Sequence, residues 1–189
     1  MTAPPRQKRP PRPIDPARLD ELALAYVARF AVSAAKLETY LKRKLAERGW
    51  AGAGEPPIAA IVARFVAAGY VDDAAYARMK AGSLRRRGYG QRRIGQALDA
   101  AGIGLADRAE AAAGEHAQRE AVLALARRRR LGPYATGPAV TDRAGRERQL
   151  GALLRAGHRA DHARALLDAA DPQAAEAWVA EAADQENDA

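Results

Sequence analysis

Three segments of this 189-residue chain share one skeleton, and that repetition constrains the fold more than any other feature. Asp20, Asp73 and Asp142 each stand near the start of a long helical stretch, and 25 residues after each comes a leucine: Leu45, Leu98 and Leu167. Four residues before those leucines stand Leu41, Ile94 and Ala163; four after come Gly49, Gly102 and Asp171. The second and third copies also align through their middle, RRGYGQRRIGQAL against RAGHRADHARALL, with Gly88 and Gly157 in register. A small helical unit cannot bury its apolar face alone, so neighbouring copies must stack. The expected fold is all-α, with three tandem helical repeats stacked into an elongated, curved array.

Local signals are helical throughout. Asp15-Pro16 reads as an N-cap followed by proline at the first helical position, and Leu19, Leu22, Ala23, Tyr26, Val27 and Phe30 then recur on one helical face. Ser33 can cap a second helix carrying Leu37, Tyr40, Leu41 and Leu45 and stopping at Gly49. After the loop AGAGEPP, Ile58, Ile61, Val62, Phe65 and Val66 form the clearest amphipathic face, ended by Gly69. Asp72 or Asp73 caps the next helix, which runs to Gly88. Gly90 opens a short helix closed by Gly102. One further helical region is expected over residues 106–130, broken at Gly132-Pro133; a loop to Thr141 follows, and Asp142 caps a helix ending at Gly157. A last pair of helical segments holds Ala163, Leu166 and Leu167, then Ala177, Trp178 and Val179. No strand-like alternation occurs. The expected division is a disordered basic, Pro-rich tail (1–14), a first repeat (15–50), a second (56–103), a third (105–170) with an internal loop at 132–141, and an acidic C-terminal tail (171–189).

Alanine supplies much of the 48% hydrophobic content while aromatics make up 5%, so the core per residue is thin, which favours an extended stack over a globe. The absence of cysteine excludes disulfide and thiolate chemistry. No apolar run approaches the ~20 residues of a membrane span, and no apolar stretch follows the basic N-terminus as in a secretory signal. These features lead to an expectation of a cytoplasmic protein with no membrane association.

The net charge of +8 is unevenly placed. Between Tyr76 and Leu98 there are seven cations and no acid; from Asp168 onward there are seven acids and no Lys or Arg. Such asymmetry points to an anionic partner, either nucleic acid or an acidic protein surface. The candidate binding residues are Arg78, Lys80, Arg85, Arg86, Arg87, Tyr89, Arg92 and Arg93. Arg78 and Arg85 lie seven apart on one stripe, taken to point away from a buried side of Tyr76, Met79 and Ser83. Arg85, Arg86 and Arg87 suit the negative end of their helix; Arg92 and Arg93 open the next one, where the dipole does not favour them and an external anion would. The competing reading of the cluster is solvation plus dipole compensation. Tyr76 reads as a core residue, and Tyr89 divides between packing and stacking on a base. Arg127 to Arg130 read as either a second contact or a solvated helix end, and Trp50 and Trp178 as packing anchors.

Other chemistries find little support. His158 and His162 have a chelating spacing but no third ligand, and the repeat pairs them with Tyr89 and Arg93, so no metal site is expected. Gly88-Tyr89-Gly90 and Gly102-Ile103-Gly104 follow no strand, so they read as helix caps and not as dinucleotide loops. No phosphate-binding loop, carboxylate pair or nucleophilic triad stands out. The expectation is a non-enzyme with no catalytic residues and no cofactor.

The second copy, GYVDDAAYARMKAGSLRRRGYGQRRIGQALDAAGI, closely resembles the signature of the RecX family: a glycine-ended helix, an Asp-Asp helix start, an aromatic-Ala step, a basic stretch, a Gly turn and an Arg-Ile…Leu helix ending in glycine. The first copy resembles the family's opening unit through Ser33 to Leu37 and Leu45 to Gly49, and the third resembles its closing unit through Arg155 to His158. The resemblance covers about residues 19–170. It implies three tandem three-helix units, binding to RecA and its filament on single-stranded DNA, and restraint of filament growth, ATP hydrolysis, strand exchange and co-protease function in DNA repair and the SOS response. A monomer is expected, with single-stranded DNA as a possible further contact. The alternative is a helical-repeat protein that binds DNA directly: its helix–Gly-turn–helix is superficially like a helix-turn-helix, although the second helix is short and poor in side chains that read bases.

Overall fold

Ile14, fully buried, begins the fold. In the computed structural model, which describes residues 12–136 and 143–188, Ile14 bridges to Trp50: its N–H donates to Gly49 O at 3.0 Å and its carbonyl accepts from Ala51 N at 2.9 Å. Ile14, placed by the sequence in the N-terminal tail, is therefore part of the fold, and residues 1–11 lie outside the described residues. Asp15 caps α1 (Pro16–Arg29), its Oδ1 accepting from Arg18 N at 2.8 Å, with Pro16 in the first turn. Ile14 and Leu19 flank that cap in the N′ and N4 places of a hydrophobic staple, and both are buried in one cluster. Ser33 Oγ accepts from Lys36 N at the start of α2 (Ala34–Arg48), which ends at Gly49 with φ +82°. Ala34 N donates to Asp73 Oδ1 at 2.8 Å, so Asp73 serves the start of α2.

α3 (Ile58–Ala67) buries Ile61 and Phe65 against Ile14, Leu19, Ala23, Leu37, Leu41 and Val71. The sequence grouped α3 with the second repeat; its apolar face instead completes the first cluster. The loop of residues 51–57 is long in sequence but returns the chain onto α1 and α2, and α1, α2 and α3 form a three-helix unit. The described residues divide into two compact units between Asp73 and Ala74.

The second unit holds two clusters. α4 (Asp73–Arg86) and α5 (Gln91–Asp99) bury Tyr76, Ala77, Ala81, Ile94 and Leu98, joined by Ala101, Ile103 and Ala111 on either side of the short α6 (Leu105–Glu110). The other cluster gathers α7 (Glu115–Arg129), α8 (Arg143–Arg155), α9 (Ala160–Asp168) and α10 (Pro172–Asn187) around Val122, Leu125, Leu153, Leu166 and Val179. The single helical region expected over 106–130 is thus two helices. The break at Ala111–Gly114 is secured by Gln118 Nε2 donating to Ala113 O at 2.8 Å, and an alanine run carries no side chain that would announce it. The expected Asp142 cap of α8 lies outside the described residues.

The acidic segment 171–189 is a packed helix over Pro172–Asn187 and not a tail. Asp171 caps it through Ala174 N at 2.8 Å, and Ala175, Val179 and Ala182 are buried at i, i+4, i+7. Arg119 stands 4.7 Å over the Trp178 ring and donates to Trp178 O, Arg127 pairs with Glu176, and Glu186 Oε1 accepts from His116 N at 3.0 Å in the first turn of α7. Six acids hide a three-residue apolar stripe, so composition alone gives the wrong reading of this segment. Among the described residues every regular element is helical, and no helix is long and apolar enough to cross a membrane.

Candidate partner-binding surface

The basic stretch of α4 and α5 is organised by a turn. Gly88 has φ +74°, a left-handed conformation that costs glycine little. Gly88 N donates to Arg85 O at 2.7 Å and Tyr89 N to Leu84 O at 3.1 Å, the paired bonds of a Schellman motif. The third repeat repeats this geometry at Gly157, with Gly157 N to Leu154 O and His158 N to Leu153 O.

The two turns that match in sequence pack directly against each other. Gly90 N donates to Ala156 O at 3.0 Å and Arg92 N to Gly157 O at 3.2 Å. The His158 ring places Nε2 at 3.0 Å from Gly88 O, which fits the neutral ring donating an Nε2–H. Burial holds the His158 pKa below its ordinary value, more than the Gly88 bond raises it, with His162 adding to the lowering. The approach is close enough that a Cβ at Gly90 would fall 2.3 Å from the Gly157 carbonyl, and one at Gly157 2.4 Å from Arg93 N. Tyr89 packs against both clusters of the unit, which places it in the joint and not on an open platform.

This joint sorts the candidate residues. Arg78 pairs with Glu110 at 2.6 Å. Arg85 is half-buried, donates from Nη2 to Ala111 O at 3.1 Å, and has its Nε enclosed without a hydrogen-bond partner; burial pulls its pKa below the ordinary guanidinium value. Arg92 donates to Leu154 O at 2.6 Å and ties α5 to the end of α8. These three are engaged within the fold, so the expectation of one uniformly unpaired cluster is corrected: acids and carbonyls distant in sequence meet them in space. Lys80 is half-buried. Arg86, Arg87 and Arg93 are exposed, with no ion pair or hydrogen bond among the described residues. Met79, expected on the buried side of α4, is 48% exposed, whereas Tyr76 is buried as expected.

Arg155, absent from the sequence-derived set, belongs beside them. It ends α8, is exposed, and precedes Gly157 by the same two residues by which Arg86 precedes Gly88. The repeat register contained that signal. An open groove of about 410 Å³ runs beside Arg86, lined by Gly82 of α4 and by Ala117, Glu120, Ala121 and Ala124 of α7. The surface is therefore a hydrogen-bonded joint with exposed guanidinium groups around it, a concentration of positive charge.

The remaining candidates have plain roles. His162 contacts Glu115 Oε1 at 2.9 Å and meets Trp178 edge-on. Among the described residues no group of three or more potential ligands could hold a metal. Arg127 is tied to Glu176 and stands over Tyr134, while Arg128 and Arg129 are exposed. Trp50 packs on the first cluster and donates to Gly54 O at 3.0 Å; Trp178 packs on the cluster of α7 to α10.

No protein-family model matches the chain. The regulatory protein RecX of Myxococcus xanthus (strain DK1622) is 36% identical over 169 residues, covering 84% of this chain and 88% of that protein. Two solved structures share the fold. A crystal structure of regulatory protein RecX superposes with a TM-score of 0.64 at 20% identity, covering 81% of this chain and 71% of the other. RecX from Lactobacillus salivarius gives 0.62 at 19% identity, covering 81% and 96%. A repeated helical skeleton, its glycine turns and identity sustained along nearly the whole of a curated relative lead to one conclusion: the chain belongs to the RecX family of regulatory proteins.

Proposed function

We propose that this chain binds RecA and its filament on single-stranded DNA and restrains the filament's ATPase, strand-exchange and co-protease activities, acting in the cytoplasm as a monomeric, non-catalytic regulator in DNA repair and the SOS response. The observation that carries this reading is the set of exposed arginines, Arg86, Arg87 and Arg93, that flank the two interlocked turns and form no ion pair among the described residues. A rigid scaffold with free cations at one joint fits a partner whose anionic groups have a fixed spacing, as in a protein–DNA filament.

The test is the triple variant Arg86→Ser, Arg87→Ser, Arg93→Ser. Exposed sites of this kind change stability by about 0.5 kcal/mol or less each, so its helical spectrum and melting should match wild type. Inhibition of RecA's DNA-dependent ATPase should be largely lost. A folded triple variant that inhibits fully would move the contact elsewhere. Comparing affinity for bare strands, duplex and RecA-coated DNA separates this reading from direct DNA binding, which would show the same affinity with and without RecA.

A further inference from the structure

The first unit carries a second cationic surface, built on aromatic rings and independent of the joint. Tyr26 and Tyr40 stack with centroids 4.0 Å apart and planes 6° from parallel, and Phe30 lies 5.6 Å from Tyr26. Phe30 sits at the C-cap of α1 and is 51% exposed, in a chain with only two phenylalanines. Cations approach these rings: Arg29 stands 5.5 Å over Phe30, while Arg43 and Lys44 lie 5.7 and 5.9 Å from Tyr40. α2 carries five cations against two acids, and both acids are occupied, Glu38 by Lys42 at 2.7 Å and Glu47 by Lys44 at 2.6 Å and Arg43 at 3.7 Å. Arg29 forms no ion pair among the described residues.

We infer that this surface is a binding site for single-stranded nucleic acid, with a base stacked on Phe30 and the backbone held by Arg29. The Tyr26–Tyr40 pair is half-buried in the first cluster and fixes the platform beside which Phe30 stands. An exposed ring with a guanidinium group beside it offers a base both a π-face and compensation for its phosphate. An acidic peptide would satisfy the cations but leave the ring in water, and duplex DNA hides the faces of its bases. The surface lies wholly within the first unit and requires no protein partner, so the inference extends beyond the regulatory reading and does not depend on it.

The experiment measures fluorescence anisotropy of the full chain, without RecA, on a short labelled thymidylate strand and on an abasic strand of the same length. The thymidylate strand should bind about fivefold tighter or more, the discrimination expected for one stacked base. Phe30→Ala should erase that difference with an unchanged helical spectrum, since the ring is half outside the fold, and Phe30→Trp should restore it. Arg29→Gln should reduce the salt slope by roughly 0.7. Tyr70→Ala removes a more exposed ring, at 60%, that has no cation over it, and should leave discrimination intact. Equal affinity for the two strands, failure to bind either, a folded Phe30→Ala that still discriminates, or a Tyr70→Ala that loses discrimination to the same extent would each overturn the inference.

Discussion

At the scale of single residues, the joint between the second and third repeats turns on glycines with different duties. Gly90 has an ordinary φ of −80°, so its need for glycine is steric: a Cβ would strike the Gly157 carbonyl, a backbone group that cannot swing away. Gly90→Ala should destabilise the second unit by about 1–3 kcal/mol, the usual cost of overpacking. Gly95, only five residues on, lies inside α5 with nothing within 4 Å of an added Cβ, and Gly95→Ala should stabilise by about 1 kcal/mol through helix propensity. Urea unfolding of the two variants checks both signs together. His158 adds a pH dependence. Its proton is bound less readily in the folded protein than in the unfolded chain, where histidine titrates near ~6.5. The stability it contributes is therefore complete above that value and is lost as the pH falls towards its lower folded pKa. Melting of the second unit should fall on acidification more steeply in wild type than in His158→Gln, whose amide can donate to Gly88 O without titrating. Parallel slopes in thermal melts between about pH 5 and 7.5 would contradict this.

At the scale of elements, α10 changes what the acidic C-terminal segment means. Its buried face joins the core of α7, α8 and α9, and its polar face meets groups on α7: Glu186 the first turn, Glu176 Arg127. The expected acidic tail is instead a structural helix whose removal exposes Val122, Leu125 and their neighbours. Val179→Asp, which places an uncompensated charge in that core, should cost on the order of 3 kcal/mol or more. Deletion of residues 171–189 should lower the melting temperature of the second unit. Unchanged melts would return the segment to the role of a tail.

At the scale of the whole molecule, the two compact units supply their own probes. Trp50 belongs to the first and Trp178 to the second, and the chain has no other tryptophan. Trp178→Phe therefore leaves a reporter of the first unit and Trp50→Phe a reporter of the second. Neighbouring repeats share stability only through their contacts, so the two fluorescence transitions in urea should have different midpoints. Coincident midpoints would show that the units unfold as one.

Helix content, most helix starts and stops, and the equivalence of the glycine turns follow from the sequence, because caps, proline positions and apolar periodicity act over a few residues. Asp15, Ser33, Gly49, Gly88 and Gly102 act where the pattern places them. The family signature in the second repeat was legible for the same reason, being local. Which repeat receives α3, and whether the acidic segment packs, are settled by apolar surface shared between distant elements, which no local spacing records. The sorting of the arginines is tertiary in the same sense. Arg78, Arg85, Arg86, Arg87, Arg92 and Arg93 read alike in a stretch without acids, yet Glu110, Ala111 O and Leu154 O, brought in from 26 to 62 residues away along the chain, engage three of them. Charge is written in the sequence; which charges remain free is decided by folding, because partners are found through space.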